Sequence, residues 1–241
     1  MLALVAGGVI VAAALAGTLT GRAFADDKPT QAKPAETKPA AEKPKDEKKD
    51  EKKEEKKAES AGLTTGDRYA NFTLKDTAGN DVQLSTLVDG NTIVVLEWFN
   101  PDCPFVVKHH KNNTTFKDLF EKYKDKGVKF VAINSGAKGE QGHGLERNQR
   151  AVTDYSIGYP VLIDESGTVG KTYGAKRTPE MFIIAKDGTI AYHGAIDDNR
   201  SADTLGKVNY VSKALDEMLK GETVSTNKTP AYGCSVKYKK D

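Results

Sequence analysis

The chain predicts an α/β domain built on a mixed β-sheet, and three observations carry that expectation. Short apolar runs with strand character alternate with segments whose apolar residues recur at helical spacing. Two pairs of strand-like runs are joined through turn residues, one early and one late, so antiparallel pairing accompanies the crossover pattern. The patterned region, about residues 61–241, has the length of one domain and can bury a proper core.

The elements follow in order. Asn71-Phe72-Thr73-Leu74 and Val82-Gln83-Leu84 flank Ala78-Gly79-Asn80 as an N-terminal hairpin. Thr92 to Trp98 is an apolar strand that runs through a short polar corner into a helix beginning at Pro104. Phe116, Leu119, Phe120 and Tyr123, at i, i+3, i+4 and i+7, give that helix one apolar face. Lys129 to Asn134 is the next strand, and the glycines from Gly136 to Gly144 form a flexible loop without the strand-then-helix context of a phosphate cradle. Leu145 to Tyr155 is helical, Pro160 to Ile163 extended, and a short helix lies near Val169 to Tyr173. Met181 to Ile184 and Thr189 to Tyr192 form the late hairpin through Lys186-Asp187-Gly188, and a closing helix carries Val208, Val211, Leu215 and Met218 on one side.

Two segments precede this domain. Residues 2–17 are small and apolar, and Ala23-Phe24-Ala25 before Asp26 fits a signal-peptidase site, so residues 1–25 read as an export signal. With Thr18 to Thr20 included, the stretch approaches the roughly 20 residues of a membrane span, which keeps an uncleaved anchor as the alternative. Its many Gly and Ala residues favour cleavage. The expected location is extracytoplasmic, periplasmic or secreted, with membrane attachment only if the segment is retained. Residues 26–60 hold no aromatic or β-branched apolar residue and read as a disordered linker. Lys-Pro recurs there every fifth residue, which stiffens the first half, and Asp-Glu-Lys-Lys then repeats with a period of four. That period stacks like charges at i and i+4 and so opposes a lone helix. Eleven lysines balance eleven acidic residues in the linker, and the whole chain carries a net charge of only +2, which excludes a basic nucleic-acid tail.

Cys103 is placed for chemistry. Proline is favoured at the first helical position, so Cys103 becomes the N-cap, with its sulfur facing the unpaired N–H groups of the first turn. Those groups and the helix dipole favour thiolate, the form that attacks disulfides and peroxides. The plain alternative is a buried structural cysteine. Cys234, past the last helix, is the other of two cysteines, so an exported chain has one intramolecular pairing available. That pair is either the oxidised state of a two-cysteine cycle or a permanent staple; closing so long a loop stabilises by up to about 5 kcal/mol. Pairing of Cys234 with a partner protein stays open beside both.

Five ordered motifs then carry a family resemblance. Gly66-Asp67-Arg68-Tyr69-Ala70-Asn71-Phe72-Thr73-Leu74 with Leu84-Ser85-Thr86-Leu87, the run Trp98 to Val106, Tyr173-Gly174-Ala175-Lys176-Arg177-Thr178-Pro179, Ala195-Ile196-Asp197-Asp198, and Gly233-Cys234-Ser235-Val236-Lys237-Tyr238 span the whole domain. Together they resemble the thioredoxin-like superfamily and, within it, the redoxin branch labelled AhpC/TSA, in a subgroup marked by CPFV and GCSVKY. The resemblance implies a thioredoxin-like fold: a central mixed sheet flanked by helices, here with an N-terminal β-hairpin extension. It implies a cis Thr178-Pro179 bond beside the Cys103 thiol, with Thr178 offering backbone groups to an extended substrate. Trp98 and Pro104 join them as expected substrate-binding residues. Glu97, on a strand where thioredoxins keep a proton-accepting carboxylate, Asn100 and Arg177 are supporting candidates.

The departures from the pattern bear on mechanism. Val106 stands where thioredoxins place the second cysteine of Cys-x-x-Cys, so resolution, if intramolecular, falls to Cys234. The peroxiredoxin pattern Pro-x-x-x-Thr/Ser-x-x-Cys is not met: Pro101 lies two residues before Cys103, and Asn100 stands at the hydroxyl position. His109, His110, His143 and His193 show no zinc spacing and are expected to be exposed, and no metal or cofactor is expected. The resulting expectation is an exported thiol–disulfide oxidoreductase with nucleophile Cys103, acting on thiol or disulfide proteins with an external thiol as electron donor. A peroxidase acting on small peroxides and a noncatalytic binding module are the alternatives.

Overall fold

The alternating pattern of β3 (Ile93–Trp98) fixes the layers. Successive side chains point to opposite faces of the sheet, so Val95 and Phe99 join one apolar cluster while Val94, Leu96 and Trp98 join the other. The structure is a computed structural model describing residues 62–240. The proposed export segment and linker lie outside them. No helix among the described residues is long and apolar enough to cross a membrane.

A seven-stranded sheet contains, in spatial order, β2 (Asp81–Gln83), β1 (Thr73–Asp76), β5 (Val161–Ile163), β4 (Val128–Asn134), β3, β7 (Glu180–Ile184) and β8 (Ile190–Gly194). β3 runs parallel to β4 and antiparallel to β7, so the sheet is mixed as expected. The early hairpin extends one edge through β1 pairing with β5. Helices α2 (Pro104–His110), α3 (Thr115–Tyr123), α4 (Leu145–Asp154) and α6 (Tyr210–Leu219) cover the face holding Cys103, and α1 (Leu84–Leu87) and α5 (Thr168–Tyr173) cover the other. Separately, β6 (Arg177–Thr178) pairs antiparallel with β9 (Cys234–Ser235).

Among the helices, two boundaries differ from the sequence reading by more than a residue. The helix expected from Pro104 through Tyr123 is two helices, because Asn112-Asn113-Thr114 prefers local side-chain bonds to helix interior. The Asn113 amide donates to the Lys108 carbonyl at 2.9 Å and closes α2. The closing helix starts only at Tyr210, where the Asn209 side chain caps the Ser212 N–H at 2.8 Å; Val208 is left outside and exposed.

Candidate functional site

The end of β3, the start of α2 and the β6–β9 pair meet at Cys103. Cys103 is the N-cap of α2 with extended backbone, and Pro104 follows at the first helical position, exposed to solvent. The sulfur makes no capping hydrogen bond to the first-turn N–H groups. Its thiol donates to the Thr178 carbonyl at 3.0 Å, and Cys103 is 0% exposed. Thr178 precedes Pro179 across a cis peptide, as the family resemblance implied, and both residues are buried. The Thr178 hydroxyl is buried without a protein partner.

The C-terminal segment brings the second cysteine to this point. In the β6–β9 register Thr178 faces Cys234 and Arg177 faces Ser235. Val236 N–H adds a bond to the Lys176 carbonyl at 3.1 Å, and Ala137 N–H one to the Lys237 carbonyl at 2.8 Å. Gly233 has φ +120°, and a Cβ there would stand 2.1 Å from the Thr178 oxygen, so only glycine lets the segment approach this closely. Both cysteines are free thiols. Burial first, and then the neighbouring Cys103 thiol, push the Cys234 thiol up to about 12.

The corner before Cys103 is stitched from a distance. Asn100 is buried; its Oδ1 accepts the Asp102 N–H at 2.9 Å and its Nδ2 donates to the Gln141 carbonyl at 3.0 Å. Gln141 Nε2 donates to the Asp102 carbonyl at 3.0 Å. The loop from Gly136 to Gly144, expected to be flexible, is therefore pinned to this corner, and Asn134 bonds it from within through Gly136 N–H and the Gly142 carbonyl, each at 2.8 Å. Arg147 Nε donates to Asp102 Oδ1 at 2.8 Å, and its Nη2 donates to the Pro101 carbonyl at 3.1 Å. On the other side, Glu180 Oε2 accepts the N–H groups of Lys176 and Arg177 at 2.7 and 2.8 Å, while its Oε1 meets His193 Nε2 at 2.8 Å. Glu180 thus holds the turn that presents Thr178.

The supporting candidates separate. Glu97 is buried; its Oε1 lies 2.9 Å from His110 Nε2, and Tyr159 donates to its Oε2 at 3.2 Å. Its partners lie on the Cys103 side of the sheet: His110 stacks on Phe116 with ring centroids 4.3 Å apart. Trp98 is a correction. It packs against Tyr173 and Phe182, each at 5.2 Å, on the face opposite Cys103, and its Nε1 donates to Ser135 Oγ at 3.2 Å. One residue of strand parity removes it from any substrate groove. Arg177 keeps an exposed side chain.

His109 and His110 are buried rather than exposed, because α2 turns the face carrying them and Lys108 into the core. Lys108 Nζ donates to the carbonyls of Asn199 and Ser201 at 2.8 and 3.1 Å and lies 3.4 Å from Asp197 Oδ2. Tyr232 donates its hydroxyl to Asp197 Oδ1 in a short bond. Burial, opposed by Asp197, holds His109 down to about 4, so it is neutral at pH 7. Burial also lowers Lys108, with Asp197 offsetting part of the cost. Bonds from Tyr232 and Gly206 N–H outweigh burial at Asp197 and keep its carboxyl below the ordinary range. Among the described residues no group of three or more His, Cys, Asp or Glu side chains is placed to hold a metal ion.

A family model described as Redoxin matches residues 64–211, more than half of the chain. The chain belongs to the Redoxin family. The fold is thioredoxin-like, as the motifs implied. A solved hypothetical protein from Sinorhizobium meliloti 1021 is 33% identical, with a TM-score of 0.68, covering 76% of this chain and 98% of its own. An uncharacterized conserved protein from Geobacillus kaustophilus is 30% identical with a TM-score of 0.66, covering 73% of this chain and 93% of its own. Among curated proteins, the thiol-disulfide oxidoreductase ResA of Bacillus thuringiensis subsp. konkukian (strain 97-27) is 29% identical over 128 residues, which are 53% of this chain and 68% of that one. This Redoxin is accordingly an oxidoreductase by family.

Proposed function

We propose that this Redoxin is an exported thiol–disulfide oxidoreductase in which Cys103 attacks a substrate disulfide and Cys234 resolves the product. The observation that supports it is the meeting of Cys103, Thr178 and Cys234: one carbonyl accepts the first thiol at 3.0 Å and its residue pairs directly with the second cysteine. In the cycle, Cys103 as thiolate attacks a substrate sulfur, forms a mixed disulfide and expels the other substrate sulfur as a thiolate. Cys234 then gives up its proton and attacks Cys103 Sγ. The second substrate thiolate leaves, and a Cys103–Cys234 disulfide remains. Two electrons pass to the substrate, and an external dithiol returns them. A Cys234 pushed up to about 12 rests as a thiol at neutral pH, which suits a second-acting group rather than the first nucleophile.

The reading assigns residues 1–25 to an export segment, residues 26–60 to a solvated spacer and residues 61–241 to the redox domain. Extended cysteine-containing polypeptides are the substrate class, since an antiparallel strand already pairs with Thr178 and a substrate strand would take its place. Peroxide chemistry is less well served: the Asn100 amide stands at the hydroxyl position and is engaged by Asp102 and Gln141, while Arg177 faces solvent. The test is dithiol-driven reduction of a disulfide-bonded protein. Wild type turns over and Cys103→Ser does not; full activity in Cys103→Ser overturns the proposal.

A further inference from the structure

Residues from three separate segments, none of which the redox step itself uses, converge in one buried cluster. Lys108 and His109 come from α2, five and six residues after Cys103; Asp197 comes from the loop after β8; Tyr232 stands two residues before Cys234. All four are at most 4% exposed. The Tyr232 hydroxyl has one proton, which goes to Asp197 Oδ1, so it accepts from Lys108 Nζ at 3.3 Å and His109 Nε2 at 3.1 Å. That assigns the Nε2–H tautomer to His109, whose Nδ1 is then free to accept from Thr115 Oγ1 at 3.3 Å. Asp197 is completed by the N–H groups of Gly206 and Asn199 at 2.6 and 3.1 Å. The Tyr232 ring packs edge-on against Phe105 at 5.9 Å, and Lys108 Nζ lies 5.1 Å from its centroid.

Removing a lysine and a carboxylate from water is costly, and packed hydrocarbon would often hold the segment as well. What the polar cluster adds is direction: it fixes one phenol position, and through it the register of Gly233 and Cys234. We propose that Tyr232, held by Asp197, Lys108 and His109, is a positioning residue that sets the effective concentration of the Cys234 thiol at Cys103. The proposal rests on the two-cysteine reading above. Without the hydroxyl, the segment keeps its ring packing and its β6–β9 pairing but loses its anchor two residues from the resolving sulfur.

The test uses the full-length reduced protein and an aromatic disulfide that releases a coloured thiolate, in two phases. Attack by Cys103 releases the first equivalent and leaves a mixed disulfide; attack by Cys234 on Cys103 Sγ releases the second. In Tyr232→Phe the second phase slows at least tenfold relative to the first, and the Cys103–Cys234 reduction potential rises by about 30 mV, the two-electron equivalent of tenfold. Asp197→Asn, which keeps the tyrosine, shows the same direction and serves if Tyr232→Phe does not fold. A potential and a second phase equal to wild type in the folded variant overturn the inference while leaving the two-cysteine reading intact. Absence of a second equivalent from wild type overturns both.

Discussion

Thr178 and Cys234 are direct partners across β6 and β9, and the Thr178 carbonyl is also the acceptor of the Cys103 thiol. One residue therefore organises both sulfurs. It does so from the turn ending at cis Pro179, held by Glu180 through the N–H groups of Lys176 and Arg177. On the proposed reading an extended substrate would pair where the C-terminal strand lies, and Cys103 is 0% exposed with that strand in place.

Gly233 is the most sensitive backbone position of that closure. An added Cβ would meet the Thr178 oxygen at 2.1 Å in a left-handed backbone conformation, so Gly233→Ala must displace the segment. The expected outcome is a loss of about 1–3 kcal/mol in stability and alkylation of Cys103 at least ten times faster. Site-resolved mass spectrometry after brief iodoacetamide treatment measures it; unchanged protection of Cys103 would contradict the account.

Trp98 belongs to the core. Trp98→Ala should cost about 3–5 kcal/mol by denaturant unfolding, from lost packing against Tyr173 and Phe182. The milder Trp98→Phe should leave KM for a disulfide substrate within about twofold, since the ring faces away from Cys103. A large KM change in that variant would return Trp98 to the substrate groove.

His109 gives a pH signature. Its folded pKa is depressed to about 4 against 6.5 for the free side chain, first by burial. A depressed value means the folded state resists protonation, so the contribution is whole above pH 6.5 and is lost as pH falls to about 4. At one pKa unit per 1.36 kcal/mol, the loss is about 3 kcal/mol, a net figure in which the attraction of Asp197 already offsets part of the burial. Urea midpoints between pH 7 and 4 should fall steeply in wild type and more gently in His109→Gln. Parallel slopes in the two proteins would be inconsistent with a buried neutral histidine.

Arg147 sets the corner that leads into Cys103. Its side chain bonds both Asp102 Oδ1 and the Pro101 carbonyl, a fork that lysine cannot reproduce. Arg147→Lys should lower the rate of Cys103 attack on a small disulfide by about tenfold, as misplaced reacting groups do. An unaltered rate would show that the corner is held without it.

The strands and both hairpins were legible because a period of two and turn residues are local signals, and the order of motifs carried the fold and the cis proline. Cys103 at the N-cap was readable from Pro104 alone. The side of each residue was harder. Glu97 and Trp98 are neighbours in sequence, yet strand parity puts Glu97 with Cys103 and Trp98 behind the sheet. Parity along β3 is the signal that separates the two, and the motif resemblance does not carry it. Two adjacent histidines look solvated in sequence, whereas α2 buries its Lys108-His109-His110 face against Asp197, Tyr232 and Glu97. Those partners lie as much as 124 residues away, beyond any local pattern. Arg147 and Gln141 escaped for the same reason: their bonds to the Cys103 corner span a loop that reads as loose glycine-rich chain.

The central claim is that Cys103 attacks and Cys234 resolves, and trapping the intermediate tests it most directly. Reduced Cys234→Ser protein mixed with a disulfide-bonded peptide, followed by non-reducing mass spectrometry and fragment mapping, should accumulate a one-to-one peptide adduct on Cys103. Wild type under the same conditions should instead yield free peptide thiols and an internal Cys103–Cys234 disulfide. An adduct on Cys234 in wild type, or no adduct on Cys103 in Cys234→Ser, would contradict the account.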